Sequence, residues 1–136
     1  MKTHWLALAA LTIVSVLAYQ SAHAQLSGIG RTDLMKEDLS APGREVVQVR
    51  VDFPPGVAAA RHSHPGEELV YVIEGLLEYQ LDGRPPVTLK AGDVLFIPAG
   101  KPHAVRNVGT GNAAELATYI VAKDKPLVTL GAARAH

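Results

Sequence analysis

Three histidines and one glutamate carry the chemistry that this sequence can support. His62 and His64 stand two residues apart, so on an extended segment both imidazoles leave the same face. Glu68, four residues beyond His64, shares that parity provided that Pro65-Gly66 does not reset the count, whereas Glu67 has the opposite parity and points away. His103 comes later, directly after Pro102 at the start of an apolar stretch. Imidazoles plus a carboxylate form a donor set for zinc, iron, copper, nickel or manganese, and on a six-coordinate ion they leave positions open for water or substrate. The chain has no cysteine, so thiolate ligands, disulfides and thiol catalysis are excluded and any metal site rests on nitrogen and oxygen. Ligand type alone does not set which metal is held, although intrinsic affinity favours copper and zinc over iron and manganese.

The elements around these residues read as strands. Val47, Val49, Val51 and Phe53 alternate with Gln48, Arg50 and Asp52, a period of two that belongs to a half-buried strand, and Pro54-Pro55-Gly56 ends it. Leu69 to Ile73 is a continuous apolar run stopped by Gly75. Leu77–Asp82 and Val87–Lys90 form a hairpin across Asp82-Gly83 and Pro85-Pro86. Val94–Ile97, His103–Val108, Glu115–Lys123 and Pro126–Leu130 complete the series, with Gly and Pro turns between. No segment after residue 24 sustains a 3.6-residue period with caps. Short strands at near-regular spacing predict an all-β barrel or sandwich.

Hydrophobicity is concentrated at the N-terminus of this 136-residue chain. Lys2 is followed by an uncharged run from Trp5 to Tyr19 and then by Ala22-His23-Ala24. A positive start, an apolar stretch and small residues at a cleavage point are the parts of a secretory signal peptide. The run is shorter than the roughly 20 residues needed to span a bilayer. The expected organisation is a signal peptide over 1–24, an irregular arm over 25–44 with room for at most one short strand, and a barrel domain over 45–136. The expected location is the periplasm or the exterior of the cell, with no membrane association after cleavage. The 13 basic and 13 acidic residues balance, which excludes a phosphate-neutralising nucleic-acid binder. So short a mature chain buries a small core, and a homodimer would support it.

At this point the sequence resembles the cupin superfamily. Gly56-x5-His62-x-His64-x3-Glu68-x6-Gly75 is similar to its first motif at every position, and Gly92-x5-Pro98-x-Gly100-x2-His103-x3-Asn107 to its second. The resemblance covers about residues 47–122 and implies a double-stranded β-helix, the cupin jelly-roll barrel, with His62, His64, Glu68 and His103 directed inward to one divalent transition metal ion. Asn107, behind an apolar strand, is read as a packing or turn residue rather than a ligand.

The resemblance leaves three functions open. The first is a metal-dependent oxidoreductase of dioxygenase or oxidase type acting on a small organic substrate, with Glu68 able to detach and act as a base. The second is a non-redox isomerase, lyase or decarboxylase using the ion as a Lewis acid. The third is a module that binds metal or a small molecule without turnover. Arg50, Arg61, Arg106, Tyr71, Tyr79 and Glu67 are the candidates for supporting acids, bases or cations, and each also fits an outer-face salt bridge or a packing role. Few aromatics are available, so a small substrate is expected rather than a large stacked one.

Overall fold

A computed structural model describes residues 28–131, so the expected signal segment over 1–24 lies outside the described residues. Ten strands and the turns between them make up this region, with no helix among the described residues. In chain order they are β1 (Gly30–Asp38), β2 (Arg44–Phe53), β3 (Ala58–Ser63), β4 (Gly66–Glu74), β5 (Leu76–Leu81), β6 (Val87–Lys90), β7 (Val94–Ile97), β8 (His103–Asn107), β9 (Ala113–Ala122) and β10 (Thr129–Leu130). They form two five-stranded sheets, ordered β1-β2-β9-β4-β7 and β10-β3-β8-β5-β6, and every pairing is antiparallel. Two such sheets facing one another make a jelly roll.

The alternation read from the sequence decides which side chains meet between the sheets. Val49, Val51 and Phe53 of β2, Val70 and Val72 of β4, and Ala117 and Val121 of β9 are buried. Leu77, Tyr79 and Leu81 of β5 bury against them from the other sheet. The expected hairpin is present, with Leu77 opposite Leu89 and Tyr79 opposite Val87. Gly75 links β4 to β5 with a φ of 76°, and a Cβ there would come within 2.6 Å of the Ala113 Cα, so this corner requires glycine. Asn107 holds the far end of the barrel as a turn residue. Its Nδ2 donates to the carbonyls of Phe53 and Gly111, and its Oδ1 accepts from the Gly109 amide.

Two segments differ from the sequence expectation. Much of the irregular arm over 25–44 is strand β1, nine residues long, paired with β2 through a bulge between Asp33 and Met35. Every residue of β1 is exposed, so its side chains lack the inside–outside alternation by which a strand is recognised. The expected last strand, Pro126–Leu130, contracts to Thr129–Leu130, which pairs with Ser63 and His62.

Candidate metal centre

The four candidate ligands come from both sheets and meet inside the barrel. His62 lies on β3 directly opposite His103 on β8. His64 follows the end of β3, and Glu68 lies on β4 opposite Ile97 and Tyr119. The turn at Pro65-Gly66 does not reset the parity, and His62, His64 and Glu68 are all buried along with His103. Gly66 makes this path possible because its α-carbon lies against the Ile120 carbonyl and the Val121 backbone, where a Cβ would collide. The ring centroids of His62 and His103 are 4.3 Å apart, those of His62 and His64 4.9 Å, and those of His64 and His103 5.2 Å.

Backbone carbonyls set the tautomer of each ring. The Nδ1–H of His62 donates to Ala60 O at 2.7 Å, that of His64 to Leu127 O at 2.6 Å, and that of His103 to Lys101 O at 2.9 Å. A neutral imidazole that donates from Nδ1 presents a lone pair at Nε2. The three histidines can place ligand atoms within 4.8 Å of one another. Glu68 Oε2 stands 3.1 Å from His64 Nε2 and 3.2 Å from His103 Nε2. These contacts are close, yet neither His64 Nε2 nor Glu68 Oε2 has a hydrogen-bond partner among the described residues. Buried acceptors facing one another without a proton between them are strongly disfavoured, and a cation placed among them relieves that. The donor set and its orphaned atoms therefore fit a divalent metal ion, with each second ring nitrogen already anchored.

The electrostatics agree. Burial lowers His62 to about 4, helped by neighbouring His103, so this ring is neutral at neutral pH. A neutral imidazole is the protonation state in which a histidine can ligate a metal. A bound ion would supply Lewis acidity at substrate oxygen and, for a redox metal, electron transfer.

The remaining candidates divide sharply. Arg50 is tied to Asp52 at 2.8 Å and to Glu74 at 2.9 Å, Arg106 to Glu78 at 2.9 Å, and Arg61 to Asp82. Tyr71 points outward and is 47% exposed. None of these residues, nor Glu67, lines the cavity beside the histidines. Tyr79 does, and its hydroxyl donates to Oε2 of Glu115.

Glu115, Tyr119 and Arg31 were not among the candidates read from the sequence, and all three line the cavity with His62, Glu68 and His103. Burial and the charge of Glu68 push Glu115 well above the usual carboxylate range, with Arg31 opposing. Tyr119 packs against the His64 ring at 4.6 Å and is likewise pushed up by burial and by Glu68. The cavity leaves about 20 Å³ for the centres of water-sized molecules, room for a water or two.

This geometry now meets what is known of other proteins. The sequence profile of the cupin domain matches residues 49–121. The chain is a cupin. This cupin is 41% identical over 56 residues to dimethylsulfoniopropionate lyase DddQ of Ruegeria pomeroyi, covering 41% of this chain and 28% of that one. It is 36% identical over 73 residues to an oxalate-binding protein of Thermotoga maritima, covering 53% of this chain and 60% of the other. Among solved structures it is similar to a recombinant oxalate oxidase in complex with glycolate, with a TM-score of 0.61, 26% identity, and 76% and 55% of the two chains covered. The cupin thus matches less than two thirds of the length of each of these relatives.

Proposed function

We propose that this cupin is an exported, metal-dependent enzyme of oxidase or dioxygenase type acting on a small organic acid. The observation that carries the reading is the convergence of His62, His64, His103 and Glu68, with each Nδ1 anchored and the orphaned His64 Nε2 and Glu68 Oε2 facing each other. In this reading the four side chains hold one ion of iron, manganese, zinc, nickel or copper, and Glu68 is the base when it detaches. Arg31 at the edge of the cavity favours a negative charge on the substrate. The similarity to an oxalate oxidase supports the same substrate class. The test is oxygen consumption by iron- and manganese-loaded protein with oxalate, glycolate and small enols or phenolics. Metal-dependent oxygen uptake supports the reading, and its absence with every loaded metal contradicts it.

The match to DddQ favours a second reading, a lyase or decarboxylase without redox change. Loss of substrate without oxygen uptake distinguishes it. The match to an oxalate-binding protein favours a module that binds without turnover, which calorimetry with oxalate would show as binding without product.

We also propose that two copies associate through the outer face of β4 and β7. Leu69, Tyr71, Ile73, Val94 and Phe96 are exposed there, and β7 is the free edge of its sheet. Light scattering that gives a dimer mass supports this, and a monomer contradicts it.

A further inference from the structure

Glu115 is a buried acid that holding a metal ion does not require. It stands on β9 opposite Val72, whereas Tyr119 of the same strand stands opposite Glu68. Glu115 and Glu68 therefore sit four residues apart in strand level, about 13 Å along the backbone. Both nevertheless line one cavity with His62 and His103, so Glu115 occupies a different end of that space from the candidate ligands. Its residue is 3% exposed, and one of its oxygens, Oε2, accepts the Tyr79 hydroxyl proton.

The rest of the inward face of β9 makes this carboxyl conspicuous. Ala113, Ala117 and Val121 share its parity and are apolar, and the fourth, Tyr119, is a neutral phenol packed against the His64 ring. An apolar side chain at this position would avoid the large desolvation penalty of a buried carboxylate. Burial, the largest cause, favours the protonated form, with Arg31 the cation that opposes it. A protonated carboxyl has one oxygen to accept from Tyr79 and an O–H left to donate.

We propose, building on the reading of the centre as a metal-dependent enzyme, that Glu115 is its proton-holding catalytic residue, facing a small acid bound at the His62, Glu68 and His103 side of the cavity. The Glu115 O–H bond breaks and its electron pair stays on the carboxylate. The proton bonds to the substrate atom on which a lone pair develops. The carboxylate left behind is stabilised by the Tyr79 hydroxyl and by the charge of Arg31, and a solvent proton entering on the Arg31 side restores the acid. This places the acid and the candidate base, Glu68, at opposite ends of one cavity, an arrangement that keeps their proton affinities apart.

Infrared difference spectroscopy on manganese-loaded protein at pH 7, comparing wild type with Glu115→Gln, tests this without a known substrate. Glutamine keeps an acceptor for Tyr79 and has no transferable proton. A protonated-carboxyl stretch that shifts in D2O and is missing from Glu115→Gln, with manganese per chain unchanged, is the expected result. No such band in wild type, or its survival in the variant, overturns the proposal. Tyr79→Phe leaves Glu115 in place and is expected to move the same band to higher frequency; an unmoved band also overturns it. With any acid that wild type turns over, Glu115→Gln is expected to lower kcat at least about 100-fold with KM little changed. A fall below about threefold, or loss of manganese from the variant, counts against a catalytic role. If wild type turns over no acid, the enzyme reading fails, and the infrared measurement alone still decides whether Glu115 holds the proton.

Discussion

Glu68 Oε2 lies 3.1 Å from His64 Nε2, and neither atom has a hydrogen-bond partner among the described residues. Because the opposite nitrogen of His64 already donates to Leu127 O, the pair presents two acceptors to one point. Glu68→Gln breaks this opposition in a telling way. Its amide can donate to His64 Nε2, so the metal-free variant is expected to be more stable than metal-free wild type by about 1 kcal/mol. Metal affinity is expected to fall at least about tenfold. Thermal unfolding with and without metal checks both signs.

A divalent metal should raise the unfolding midpoint of wild type. At a free concentration 100 times Kd the gain is about 2.7 kcal/mol, or roughly 10 °C for a domain of this size. His103→Ala should remove the gain, because it deletes the candidate ligand that β8 contributes opposite His62. Differential scanning calorimetry with each metal measures it.

Gly66→Ala tests how the backbone carries the ligands past the turn. The added Cβ falls on the Ile120 carbonyl and comes within 2.6 Å of the Val121 Cα, both of them backbone atoms of the central strand β9. A loss of about 3 kcal/mol is expected, together with weaker metal binding as β4 moves Glu68 outward. Urea unfolding and metal titration of the variant read the two effects.

Glu115 makes stability depend on pH with a definite sign. Its folded value lies well above 4.5, so the folded protein holds the proton more tightly than the unfolded chain does. That contribution is complete below about pH 4.5 and is lost as pH rises. Glu115→Gln has no proton to lose, so its stability relative to wild type should increase from pH 5 toward pH 9. Paired urea titrations across that range check the slope.

The histidine–glutamate motif was legible because parity and spacing put His62, His64 and Glu68 on one face before any fold was known. His103 joined them through the second motif, and β8 brings it directly opposite His62. Glu115 and Tyr119 were not legible for a physical reason. On β9 the outward positions Leu116 and Ile120 are themselves apolar and half-buried, so alternation alone does not tell which face of the strand is inside. Arg31 was missed because β1 is exposed along its whole length, and only its pairing with β2 brings it to the cavity. Tyr79 was read as a candidate, but its partner Glu115 lies on the opposite sheet, a relationship that only the closed barrel creates.

The central claim is that His62, His64, His103 and Glu68 hold one ion, and elemental analysis of the purified protein after metal loading tests it most directly. The account predicts about one transition metal per chain in wild type and less than about a tenth in His103→Ala. Less than about a tenth in loaded wild type, or an equal content in both proteins, would contradict it.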